Sequence, residues 1–333
     1  MTFTVDKRQF LGLVAGAGAA LAVRPARAAA TTIRSAVLKT GTVNWEMNVI
    51  RHHGLDAKHG FALDLIEVAN NEATRIALQA GEVDLITSDW LLVARERGEG
   101  TDLTFVPFSS SVGSIMVPGD SPIKTLGDLK GKSIGVAGGP LDKNWLLLQG
   151  MAARDFGIDL AKDSSPSFGA PPLLSEKLET GELDAALLFW NFCARLEPKG
   201  FRYLIGGEDA AIAMGATGPI SAVGYTFTET WANANLDVAR GFVAASREAK
   251  EIMKTSDAEW DRLRPEMQGA KEDAAFIALR DRFREGIPTR PIGEEERDAA
   301  VIFKVLADLG GEKLVGKATT FPDGTYWNEL PRA

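Results

Sequence analysis

Three histidines, one cysteine and a scatter of carboxylates are the side chains with which this 333-residue chain could do chemistry. His52, His53 and His59 fall together in "RHHGLDAKHG". His52 and His53 are neighbours on an expected helix, so they point about 100° apart and do not read as a metal-ligand pair. Close to the helix C-terminus they read as complements to its dipole. Cys193, beside Phe192, reads as a buried apolar residue, and a lone cysteine forms no internal disulfide. No H-x-x-x-H, G-x-S-x-G, P-loop or dinucleotide fingerprint occurs, and "GVAGGPLDK" lacks the G-K-[ST] ending of a phosphate loop. The expectation is a protein that is not an enzyme and uses no cofactor.

Binding chemistry is better represented. "GEVDLITSDW" (81–90) and "GELDAALLFW" (181–190) repeat one unit 100 residues apart. In each a helix ends at a glycine, Gly81 or Gly181. Glu82 or Glu182 turns the chain, Asp84 or Asp184 enters a buried strand, and Trp90 or Trp190 follows its end. In doubly wound sheets ligands sit outside the carboxyl ends of the strands. Two lobes facing each other are therefore expected to bring both indoles to the walls of a shared cleft.

The elements around these units alternate. Strands are expected at 33–39, 61–68 and 83–87, with helices at 44–54, through "EATRIALQAG", and from about Asp89. Strand–helix–strand order is that of a parallel sheet covered on both faces. Pro118, Gly119, Pro122 and Gly127 interrupt the run. It restarts with a strand at 133–137, a helix at 141–157, a short strand near "SPSFG", a helix through "LLSEKLETG" and the strand "LDAALLF". After a Gly- and Ala-rich connector at 206–221 the pattern is mostly helical, with amphipathic spacing at 235–254, 271–285 and 294–309.

With 45% hydrophobic residues the chain is long enough for two cores. Its formal charge of −8 argues against nucleic acid or an anionic membrane as partner. Residues 1–28 read as an export signal: a basic pair, a mildly apolar run from Phe10 to Val23, and an Ala26-x-Ala28 site. "KRQFL" resembles the twin-arginine box with Lys7 for the first arginine; the general secretory route is the alternative. Cleavage near Ala28 and a periplasmic location follow. Those 28 residues carry four basic side chains and one acidic one, so the remainder is three units more negative, −11.

"KHGFALDLIEV", "IALQAGEVDLITSD", "SPIKTLGDLKGKSIGV", "KLETGELDAALLF" and "GYTFTETWANANLDVARGFVAASREA" occur in this order over roughly residues 33–250. The set resembles the periplasmic substrate-binding proteins of ABC importers, in the branch of nitrate, taurine, alkanesulfonate and thiamine-precursor binders. The resemblance implies an α/β fold of type II: two lobes, each a mostly parallel sheet flanked by helices, joined by two hinge crossings. These are expected near 118–124 and 206–221, giving one lobe from 29–120 with 220–333 and another from 121–219. It further implies a monomer that closes on a small solute and delivers it to a membrane permease.

The family's ligand loops follow the strands. The resemblance therefore puts Thr42, Asn44, Trp45 and Glu46 after the first strand, Asn70, Asn71 and Glu72 after the second, and Ser88, Asp89 and Trp90 after the third. In the second lobe it puts Gly138, Gly139, Pro140, Leu141 and Asp142 in one loop, and Ala170, Phe189, Trp190 and Asn191 in two others. Asn44, Asn70 and Asp89 also read as helix caps, the glycine pair as a tight turn, and Glu46 and Glu72 as dipole-complementing acids. These loops hold four acids, one nearby lysine, Lys143, and no arginine. Tryptophan faces beside carboxylates suit an uncharged or cationic organic solute such as a nitrogen heterocycle or amine. Were Glu46, Glu72, Asp89 and Asp142 to converge, they would suit a hard cation instead. A solute sensor docking to a membrane receptor and an enzyme related to thiamine-pyrimidine proteins are the other readings.

Overall fold

The computed structural model describes residues 31–39, 41–68 and 70–330. The expected export signal lies outside them. Among these residues ten strands form two smaller sheets, which a single bridge joins into the first sheet, and a five-stranded mixed sheet, the second. In the first sheet β1 (Thr31–Leu38) and β2 (Phe61–Val68) run parallel, with Ser35 opposite Leu65 and Val37 opposite Glu67. Ala36 N–H donates to Leu85 O at 3.0 Å, and a Ser35–Leu85 bridge joins β1 to the chain entering β3 (Ile86–Ser88). β4 (Leu103–Ser109) forms the far side. The second sheet takes β5 (Ser114–Pro118), β6 (Ser133–Ala137), β7 (Ser165–Gly169), β8 (Ala185–Leu188) and β9 (Phe201–Gly206) in the order β7-β6-β8-β5-β9. β10 (Val223–Thr228) returns to the first sheet and inserts between β3 and β4, antiparallel to both.

The parallel cores, β1-β2 and β7-β6-β8, are the strands that sequence alternation locates. β4, β5, β9 and β10 were not separated by it, and they make both sheets mixed. They also move the first crossing. β5 pairs with β8 and β9, so the chain leaves the first sheet at 110–113, before the Pro/Gly stretch expected to be the hinge. Pro118 and Gly119 instead end β5, where Gly119 N–H donates to Gly200 O at 2.9 Å. The second crossing runs from Gly206 to Val223 and includes a short helix, Gly207–Ala213.

The repeated unit has one backbone geometry in both halves. Gly81 (φ +70°) and Gly181 (φ +77°) take the left-handed conformation that ends each helix. The two following N–H groups, of Glu82 and Val83 or of Glu182 and Leu183, return to the carbonyl of Ala77 or Lys177. Asp84 then accepts from the backbone N–H of Arg34 at 2.9 Å, and Asp184 from that of Ser133 at 2.8 Å. Each aspartate thus ties the entrance of its half's third parallel strand to the entrance of the first. Arg34 adds its guanidinium to Asp84, Nη2 to Oδ1 at 2.6 Å; Ser133 adds its hydroxyl to Asp184 at 2.8 Å.

The C-terminal helices bind the halves together. Leu236–Thr255 packs on Val43–His52, Asp273–Glu285 on Trp190–Leu196, and Ile292–Gly310 on Lys143–Phe156. One apolar core therefore continues from Ile33 and Phe105 in the first sheet to Ile134 and Leu187 in the second. A smaller cluster around Met116, Leu174 and Cys193 backs the second sheet. Cys193 is fully buried, as its neighbours suggest, and burial pushes its thiol up to about 12. Among the described residues no helix is long and apolar enough to cross a membrane.

Candidate functional site

The carboxyl ends of the two parallel cores meet at two points. Asp89 ends β3's loop and caps helix Trp90–Gly98 by accepting from Leu92 N–H at 2.8 Å; its other oxygen meets Lys143 Nζ at 3.1 Å. Lys143 opens helix Lys143–Phe156 of the second half, so this ion pair spans the halves. The second contact is aromatic. Trp45, on helix Val43–His52, meets Trp190 edge-on at 6.2 Å between centroids, with planes at 90°. Phe283 lies 5.9 Å from Trp45 and 6.4 Å from Trp190, and Trp260 packs on Trp45 at 5.9 Å. Edge-to-face pairs of this kind add about 0.5–1.5 kcal/mol beyond burial.

The matched indoles of the repeat do not face each other. Trp90 is 2% exposed and packs on Phe321 at 5.9 Å inside the first half. The cause is the C-terminal segment: its Ala318 sits close against Gly98 on the same helix, and it carries Phe321 to the indole. Trp190 meets a different C-terminal element, helix Asp273–Glu285, and is half-buried against its Phe283 and, across the halves, Trp45. The partner of Trp190 across the halves is the tryptophan of the first loop, not of the repeat.

The four acids are each engaged and do not converge. Glu46 is fully buried, pairs with Lys250 Nζ at 2.6 Å and accepts from the Tyr225 hydroxyl at 2.8 Å. Glu72 is exposed and pairs with Arg75 at 2.7 Å. Asp89 pairs with Lys143. Asp142 caps its helix with two N–H bonds of 3.0 Å, from Asn144 and Trp145; burial pushes its carboxyl up despite Lys143 and those donors. Asn70 is a cap, accepting from Ala73 N–H at 2.9 Å, and Asn71 beside it is exposed. Asn44 is not a cap: Thr42 holds that position, and Asn44 Nδ2 donates to Leu38 O at 2.7 Å. Ser88 bonds Thr226 across the β3–β10 pair at 2.8 Å.

On the second half, Gly138 and Gly139 both have φ near +90°, and a Cβ on Gly138 would strike the Asp142 carboxylate. That turn lifts Pro140 and Leu141 outward. Leu141, Phe168, Leu173 and Phe189 are all at least 42% exposed, and all lie at or just beyond the carboxyl ends of the parallel strands β6, β7 and β8. Ala170 caps the Pro171-led helix between them, and Asn191 is half-buried next to Trp190. An apolar rim therefore surrounds the loops where the fold places ligands.

A cavity of about 710 Å³ opens beside these contacts, between helix Val43–His52, the β2 edge and the second half's Arg195. Asn44 and Trp45 line it, and no other residue expected from the sequence does. Asn48, Arg51, Arg195 and Arg262 also line it, and none was legible. Their signal was helical spacing: Asn48 and Arg51 follow Asn44 at i+4 and i+7, on one face. Asn44 Oδ1, Asn48 Oδ1 and Arg195 Nε are buried without a hydrogen-bond partner. Among the described residues no carboxylate pairs with Arg195, whose guanidinium burial pulls down. His52 reaches the same cavity. Its ring and that of His53 meet at 4.9 Å between centroids, although the two are neighbours at the end of one helix.

Two α/β halves, mixed sheets exchanging β5 and β10, and contacts at the carboxyl strand ends define the two-lobed fold of periplasmic binding proteins. The model of the NMT1/THI5-like family matches residues 46–259, and the chain belongs to that family. A putative aliphatic sulfonates-binding protein of Escherichia coli (strain K12) is 28% identical over 184 residues, 54% of this chain and 54% of that protein. The chain thus spans about half the length of that curated relative. The crystal structure of the periplasmic aliphatic sulphonate binding protein SsuA from Escherichia coli superposes with a TM-score of 0.71 at 20% identity, over 90% of this chain and 92% of that one. The alkanesulfonate-binding protein from Xanthomonas axonopodis pv. citri, bound to MOPS, gives 0.63 at 18% identity, over 90% and 99%. At these identities the likeness establishes the fold.

Proposed function

We propose that this protein is the extracytoplasmic, monomeric solute-binding component of an ABC importer. It captures a small organic solute between its halves by hinge closure and presents it to an inner-membrane permease. The observation that carries this reading is the pair of contacts between the halves, Trp45–Trp190 and Asp89–Lys143, set at the carboxyl strand ends beside a 710 Å³ cavity. The lobes are then 31–109 with 223–330, and 114–206. Closure is favoured only by a solute that binds the closed form better than the open one. Family membership and the binding proteins of like fold support the role.

The sequence favours an uncharged or cationic solute. The acids behind the cationic option are neutralised by Lys250, Arg75 and Lys143 or spent on a cap, so an uncharged organic molecule with a face to stack is the first choice. An anionic head group is the second. It is favoured by Arg195, half-buried beside the cavity with no carboxylate partner among the described residues, and accords with the sulfonate ligands named for the relatives. Calorimetry with three probes, a nitrogen heterocycle, an alkylamine and an alkanesulfonate, separates these choices. Mass spectrometry of small molecules released by denaturing freshly purified protein identifies the natural one. A released solute whose affinity is unchanged in Trp190→Ala and Trp45→Ala overturns the assignment of the site.

A further inference from the structure

We propose that His52, His53 and Glu259 form a binding site for a divalent transition metal of the zinc type, on the first half at the rim of the cavity. The proposal is independent of the capture reading. One ligand atom from each of the three lies within 4.8 Å of the other two. The site is built by a helix end. Helix Val43–His52 stops at His52; His53 is its cap, with φ −89° and ψ 2°, and Gly54 leaves in the left-handed conformation at φ +61°. At this helix end the two imidazole centroids lie 4.9 Å apart, with their planes at 89° to each other. Glu259 arrives from helix Asp257–Leu263, which Ser256 caps through Glu259 N–H. Its Oε2 lies 3.1 Å from His53 Nε2.

The donor set selects the ion. Two imidazoles and one carboxylate suit zinc and its first-row neighbours, whereas calcium and magnesium take oxygen. Three ligands in a tetrahedral shell stand about 3.4 Å apart. The gap from 4.8 Å closes by rotating the two exposed imidazoles, and the buried carboxylate stays fixed. Arg262 does the fixing: its Nε donates to Glu259 Oε1 at 3.0 Å, leaving Oε2 for the ion. A carboxylate shared between a ligand role and an outer donor is the usual second-shell arrangement, and it screens the guanidinium from the ion. The fourth position is left to water or to a donor atom of a molecule in the adjoining cavity, which His52 and Arg262 both line.

The test uses full-length protein without a polyhistidine tag, stripped with a chelator and titrated with zinc chloride against a chromophoric competitor. One equivalent is expected to bind. His53→Ala and Glu259→Gln are each expected to weaken it by more than the roughly 10–100-fold that loss of an outer-shell partner costs. His59→Ala, which touches Glu248 instead, is expected to leave it unchanged. Cobalt substitution should give the intense visible bands of a four-coordinate ion in the wild type and lose them in His52→Ala, whose exposed position keeps the fold intact. Absence of zinc binding, or binding that survives His53→Ala and Glu259→Gln, or that is lost in His59→Ala, overturns the proposal.

Discussion

Trp90 and Trp190 show how one residue type at one repeat position takes two roles. Trp90 is packed under Phe321, so Trp90→Ala is expected to destabilise the protein by about 3–5 kcal/mol in denaturant unfolding, the cost of truncating a buried aromatic. Solute affinity, measured where the variant is folded, should hold. Trp190→Ala should do the reverse, weakening solute binding at smaller cost in stability. Glu46 makes a related point. The sequence shows an acid in a first helical turn, which fits a ligand contact or a dipole complement. Its true role depends on Lys250 and Tyr225, about 180–200 residues away, and no local pattern carries that. Removing one member of a buried pair leaves the other charge unpaired. Lys250→Ala is therefore expected to cost about 3–5 kcal/mol, and equal unfolding midpoints for variant and wild type would contradict it.

Among elements, most of the parallel strands were legible: β1, β2, β3, β6 and β8 lie in apolar runs, and all of these but β1 follow a glycine stop. β4, β5, β9 and β10 were not. β5 leads directly into Pro118 and Gly119, and β9 follows a three-residue 3₁₀ turn, Glu197–Lys199. β10 introduces helices, so its neighbours gave no alternation to read. The repeat was visible, but its purpose is mechanical: Asp84 and Asp184 pin strand entrances. The backbone N–H of Ser133, with its hydroxyl, holds the Asp184 carboxyl below its ordinary range. A carboxylate with a lowered folded pKa stabilises above its unfolded value of about 3.9 and loses that contribution as pH falls through the folded value. Asp184→Ala is thus expected to cost about 1 kcal/mol near neutrality, a modest figure because the group is exposed. The gap should stay constant down to about pH 5 and close as acid protonates the wild type. A gap independent of pH to below 3 would separate the aspartate's role from its charge.

At the scale of the whole molecule, two side-chain contacts at the carboxyl strand ends add to the C-terminal helices in setting the relation of the halves. In the aromatic contact Trp45 and Phe283 are buried and Trp190 half-buried, while Asp89–Lys143 is only partly shielded, with side chains 36% and 17% exposed. The ion pair is therefore worth up to about 1 kcal/mol. Lys143→Ala is expected to shift solute-free protein toward an opened form by a few-fold, read as a larger radius of gyration in X-ray scattering, with little change in melting temperature. An unchanged radius would remove the pair from the closing machinery. The strand–helix alternation pointed to sheets with parallel cores, and the two-lobed class was what the resemblance of the ordered segments implied. The crossing at 110–113 was not legible, because those four residues, Ser-Ser-Val-Gly, carry no proline and a single glycine.

The insertion of β10 between β3 and β4 also orders events in time. A ribosome making this polypeptide releases the second sheet as one uninterrupted stretch, complete once Gly206 emerges. The first sheet must wait for residues 223–228, and for Tyr326 to bridge Phe105. The half synthesised earliest is thus finished last, its nascent edge strands exposed while more than a hundred further residues are added.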